Sequence, residues 1–137
     1  RIVMIHHNPI RGEISGRHGL ANTEQALHAF ANLGAELILC GHDHQEAVHT
    51  VERGTAGLLI STAGTISNRI RPGRLSSFNL VEIDDRTLRI TTFSWQNGDC
   101  FSPSGERSFP RHRAASHRRP SRRPADVRPS PSPEAEV

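Results

Sequence analysis

A chain of 137 residues is long enough for one domain with a sizeable core, since a body of that size buries roughly two-thirds of the surface its unfolded chain exposes. Its formal charge of +3 is unevenly spread: residues 1–106 carry 9 Arg against 11 acids, and residues 107–137 carry 8 Arg against 3. No apolar run approaches the ~20 residues that span a bilayer, and two cysteines without Cys-x-x-Cys spacing do not suggest a secreted disulfide scaffold, so a reduced, cytoplasmic protein is expected.

The chain opens with Arg1 in place of Met and enters at once into the apolar run Ile2 to Ile5, which reads as a buried parallel strand of a segment cut from something longer. His6-His7-Asn8-Pro9 should end that strand, because Pro9 has no N–H to give to a ladder. Arg11 to Leu20, with Gly12, Gly16 and Gly19, is a loop. A helix is expected from Asn22, with Gln25 three residues on as in a capping box, Leu27, Phe30 and Ala31 at helical spacing, and Gly34 closing it. Residues 35–40 form a second apolar strand, so that strand, helix and strand make a βαβ unit with parallel strands. Further on, Glu46 to Glu52, Leu58 to Thr62, Ser77 to Ile83 and Thr87 to Trp95 read as antiparallel hairpins or meanders. From Phe109 onward Pro, Arg and Ser dominate, with 6 of the 9 prolines between Pro110 and Pro133, and no core can come from that composition. The chain therefore divides into a domain at 1–106 and a disordered tail at 107–137.

Two histidine clusters stand at equivalent places. His6-His7 follows the first parallel strand, and His42-Asp43-His44 follows the second, behind Gly41. Sites in open α/β sheets form outside the carboxyl ends of parallel strands, so both clusters should face one crevice. Imidazole suits Zn, Fe and Mn, and three such ligands with an open position describe a catalytic site. Gly41 should allow the backbone angles and close approach that turn His42 and His44 toward an ion. His28 and His49 lie in a helix and a strand, and with His18, His112 and His117 they are taken as ordinary polar residues. Cys40 ends an apolar strand and reads as a small buried hydrophobe instead of a thiolate ligand.

Ile-His-His-Asn-Pro-Ile at residues 5–10, followed one helix later by Leu-Ile-Leu-Cys-Gly-His-Asp-His at residues 37–44, resembles the second half of calcineurin-like metallophosphoesterases. Residues 61–71 and 77–84 resemble the carboxyl half of bacterial members of that family, so the resemblance covers residues 1 to about 103. It implies the carboxyl half of a four-layer α/β/β/α sandwich that holds two divalent ions, Mn, Fe or Zn. These would share a bridging hydroxide that attacks phosphorus in line, each ion stabilising an oxygen. By position His6 and His42 match ligands of the second metal and His44 a ligand of the first, whereas His7 either touches the substrate or replaces His6 as the ligand. The family's upstream Asp-x-His, Gly-Asp and Gly-Asn-His signatures lie outside this sequence, and with them the carboxylate that bridges the metals. Neutral imidazoles offset little of the repulsion between two close dications, so the resemblance implies a phosphoesterase in the longer parent and little turnover by these 137 residues alone.

Arg69, Arg71 and Arg74 follow Gly64-Thr65, and three guanidiniums on one loop could clamp a phosphate, with Arg71 the candidate substrate contact. A solvated Arg-rich loop is the plainer alternative. Two other functions stay open. One is a mononuclear zinc hydrolase on His6, His42 and His44. The other is a basic-tailed module that holds nucleic acid non-specifically by counterion release, with no aromatic after Phe109 to stack on a base. Half a sandwich also implies unsatisfied strand edges and an uncovered sheet face.

Overall fold

A computed structural model describes residues 1–11, 19–53, 56–67, 69–70, 72–96 and 98–111. Its elements are β1 (Ile2–His7), α1 (Thr23–Asn32), β2 (Leu37–Gly41), β3 (Ala47–Arg53), β4 (Ala56–Thr62), β5 (Ser77–Ile83), β6 (Thr87–Gln96) and β7 (Cys100–Pro110). The fold is α/β, with a mixed four-stranded sheet in the order β1-β2-β4-β3 and an antiparallel three-stranded sheet in the order β5-β6-β7.

The βαβ unit is present: β1 and β2 run parallel around α1. The helix closes as the sequence indicates, on Gly34 at φ +71, whose N–H donates to the Ala31 carbonyl at 2.8 Å. Its start differs, because the Asn22 side chain makes no capping bond. Thr23 does the tethering, its hydroxyl donating to the carbonyls of Leu20 and Pro9, so the helix is pinned to the loop behind β1. The β3–β4 hairpin is antiparallel, but β4 also pairs in parallel with β2 and so enters the first sheet. The sequence pattern of alternating short strands could not show that second partner.

Two apolar clusters fix the layers. Leu27 of α1 packs with Ile38, Cys40, Leu58 and Ile60 on one face of the first sheet, with Val3, Ile5 and Phe30 beside them. Leu37 and Leu59 on the opposite face meet Leu88 and Ile90 of the second sheet. The order is helix, sheet, sheet, three of the four layers expected. β1 lies at the sheet edge and is not buried on both faces: Met4 is 80% exposed while Val3 and Ile5 face the helix. The outer face of the second sheet carries Phe78 stacked on Phe93 at 5.1 Å, with Trp95 and Phe101 edge to face at 5.0 Å. These aromatics are half exposed and lie outside the core.

β7 continues to Pro110, beyond the boundary read at 106/107. As an edge strand it tolerates Pro103 and Pro110. Arg111 then donates from Nε to Glu36 Oε2 at 2.7 Å and from Nη2 to Oε1 at 2.8 Å, tying the end of the second sheet to the start of β2. Residues 112–137, including His112 and His117, lie outside the described residues, as do His18 and Arg71. Among the described residues no helix is long and apolar enough to cross a membrane.

Candidate metal centre

The strand ends bring the histidines together by an irregularity the sequence does not display. His6 and His7 belong to β1 and do not follow it. On a regular strand their side chains would point to opposite faces. The β1–β2 register shifts between Met4 and His7, with Met4 opposite Leu39 and His7 opposite Gly41, so β1 has one residue more than its partner. Such a bulge re-aims a side chain, and here the two rings lie 4.9 Å apart, edge to face.

The second loop is held by its middle residue. His42 has φ 72 and His44 φ 54, a left-handed conformation that costs non-glycine residues of order 1–3 kcal/mol each and persists only where the surroundings enforce it. Asp43 between them is 3% exposed and its Oδ2 accepts a hydrogen bond from Asn8 Nδ2 at 3.0 Å. Asn8, 6% exposed, also accepts the Ile10 N–H at 3.2 Å, closing a turn after β1. One buried Asn–Asp contact thus fixes both histidine loops relative to each other. Neither residue was a candidate from the sequence, although an Asn directly after His-His and an Asp between two histidines are the places such a tether must occupy. Gly41, by contrast, has no left-handed φ, and a Cβ there would meet only the His6 carbonyl at 4.0 Å. The unusual backbone sits on the histidines themselves.

His6 Nε2 lies 3.2 Å from His42 Nδ1, and one nitrogen from each of His6, His7 and His42 falls within 4.8 Å of the others. With Zn–N bonds of ~2.0–2.1 Å, two nitrogens on a tetrahedral zinc stand about 3.3 Å apart, so the first pair already has that separation and His7 needs a small movement to join. Among the described residues this is the one grouping of three or more potential ligands, and no carboxylate belongs to it. Its donor set fits a single divalent ion with an open position. It does not fit two ions, because no carboxylate joins the three imidazoles to bridge them. His44 is directed elsewhere: its Nδ1 is 3.2 Å from the Arg69 carbonyl, so Nδ1 carries the proton and Nε2 is the nitrogen left to bind.

Cys40 lies behind the site. Burial pushes its thiol pKa up, partly offset by the Thr62 hydroxyl at 3.4 Å, while the negative charge of Asp43 adds to the rise. Cys40 stands outside the three-histidine group and packs in the cluster under α1 as the small hydrophobe its position implied.

No family model and no curated protein matches the chain. Among solved structures it is similar to a conserved predicted phosphoesterase from Streptococcus pneumoniae, 22% identical over 66% of this chain and 48% of that one, with a TM-score of 0.48. It is similar also to vacuolar protein sorting 29 from Cryptosporidium parvum, 15% identical over 74% of this chain and 50% of that one, TM-score 0.49. The same protein from Entamoeba histolytica, in complex with zinc, is 20% identical over 66% and 47%, TM-score 0.42. All have the calcineurin-like metallophosphoesterase fold, and the chain spans about half their length.

Proposed function

We infer that this chain supplies the histidine side of a metal-dependent phosphoesterase centre, in which His6, His7 and His42 hold one divalent ion. The observation that supports it is the convergence of those three imidazoles, from the last two residues of β1 and the loop after β2, at the carboxyl ends of parallel strands. A divalent ion held by these residues would supply Lewis acidity to a phosphoryl oxygen. The chain's own residues would orient it: the β1 bulge goes with His6 and His7 rings set side by side at 4.9 Å, and Asn8 and Asp43 hold the left-handed loop that presents His42. A second ion, the one that His44 matches in the motif resemblance, needs carboxylates that no described residue brings to this cluster. Hydrolysis of a phosphodiester or phosphomonoester is therefore assigned to a longer parent, with His44 Nε2 reserved for that second ion and Arg71 for substrate.

The same cluster favours a second reading, a mononuclear zinc hydrolase, now on His6, His7 and His42 in place of His6, His42 and His44. Calorimetric titration of the purified chain with zinc and manganese, followed by assay with bis-nitrophenyl phosphate, separates the two. The phosphoesterase reading expects one ion per chain, uptake weakened at least ~10-fold in His42→Ala, and negligible turnover. One zinc per chain with robust, chelator-sensitive esterase turnover would favour the mononuclear enzyme. An absence of stoichiometric uptake would remove both.

A further inference from the structure

On the other side of the His42–His44 loop the two sheets part at one end and leave a polar cavity of about 340 Å³. His44 and Glu46 form one wall, Arg74 another, and Ser77, Ser94 and Arg107 of the second sheet a third. The two guanidiniums are distinctive. Among the described residues neither Arg74 nor Arg107 is ion-paired, and Arg107 uses one N–H, from Nη1 to the Val48 carbonyl at 3.1 Å, to brace itself across the sheets. An Arg carries five N–H donors, so most of this fork is left to a ligand. Hydroxyls surround it: Ser94 Oγ lies 2.7 Å from Ser104 Oγ, which in turn donates to the Thr92 carbonyl at 3.2 Å. Glu46 is the one carboxylate of the wall; its Oε1 accepts from Thr92 Oγ1 at 3.2 Å and has acceptor capacity to spare.

Arg74 and Arg107, exposed and without an ion pair among the described residues, give the cavity a positive rim, and the fork geometry of a guanidinium suits phosphate or carboxylate. A carboxylate with spare lone pairs and a rank of serines beside them call for hydroxyl groups on the same ligand. We propose that this cavity binds the anionic end of a phosphorylated, hydroxyl-bearing molecule of the sugar-phosphate class, with Arg74 and Arg107 on the phosphate and Glu46 accepting from a hydroxyl. As a site for part of a substrate it rests on the phosphoesterase reading, with His44 as the wall shared between cavity and metal loop; as a binding site it does not need the metal.

The test is a titration of the full 137-residue chain with ribose 5-phosphate in EDTA, followed by amide chemical shifts, with ribose as the uncharged control. Saturable shifts at Ser77, Thr92, Ser94 and Ser104 are expected, with none from ribose. Affinity should fall about 10-fold in Arg74→Ala, a surface change that breaks no hydrogen bond or ion pair among the described residues, and less in Arg107→Lys, which keeps the charge. Shifts confined to His6, His7 and His42, an unchanged affinity in Arg74→Ala, equal binding of ribose, or no saturation would each overturn the proposal. Because no metal is present, failure here leaves the metal-uptake result standing, and failure of metal uptake leaves this result standing.

Discussion

At the scale of single residues, the proposed metal centre depends on side chains of very different visibility. The histidines were legible because paired imidazoles at two strand ends have few structural uses, and His6 and His42 are indeed 3.2 Å apart. Which third histidine joins them was not legible, since it turns on one extra residue in β1 and on left-handed φ values at His42 and His44. Asn8→Ala removes a hydrogen bond from the buried Asp43 carboxylate, and a loss of about 1–3 kcal/mol is expected in urea unfolding, together with weaker zinc uptake by the folded protein. His44→Ala should leave uptake of the first ion within about 3-fold, since His44 stands outside the ligand group; a larger loss would bring it back into the centre. Glycines separate by the space around them. Gly41→Ala should cost under ~1 kcal/mol, because a Cβ there makes only ordinary contact. Gly64→Ala would put a Cβ 2.9 Å from the Ser77 carbonyl oxygen and should cost about 1–3 kcal/mol, both measured from the denaturation midpoint.

Among the elements, those with a strong period or a clear punctuation mark were readable and the edge strands were not. α1 was visible through Leu27 and Phe30 at helical spacing and through Gly34, whereas its start depends on where the Thr23 hydroxyl points. β5 and β6 alternate cleanly enough to be placed to within a residue. β7 was missed because Pro103, Gly105 and Pro110 look like a breakdown of structure; an edge strand with a bulge opposite Thr92 and Phe93 accommodates all three. The pairing of β4 with β2 was hidden for another reason, as partner choice is a long-range matter decided by burial of Leu58 and Ile60 against the helix and Leu59 against the second sheet. Ile90→Ala, at 1% exposure in the contact between sheets, should destabilise by about 2–5 kcal/mol in the same denaturation assay. A loss under 1 kcal/mol would mean that the sheets are not packed face to face as described.

For the molecule as a whole, charge that looked like an unstructured tail is partly built into the fold. Arg107 braces β7 against β3, and Arg111 closes the far end of the sandwich on Glu36. The hydrogen bond from Arg111 is the largest cause that lowers the Glu36 carboxyl from its ordinary 4.5 to about 2. A depressed carboxylate pKa contributes stability above the unfolded value and loses it as pH falls through the folded one. Part of the stability of the wild type should therefore disappear between about pH 4.5 and pH 2, and Arg111→Ala should flatten that part of the acid-unfolding curve; an unchanged curve would show that the pair does not hold the sheets together. We propose that imidazoles from the end of β1 and the loop after β2 share one ion at the rim of the first sheet. It is tested most directly by X-ray absorption on the zinc-loaded chain. The account predicts three histidine nitrogens at ~2.0–2.1 Å, falling to two in His6→Ala and in His42→Ala. A sulfur shell near 2.3 Å, or a first shell unchanged by either substitution, would contradict it.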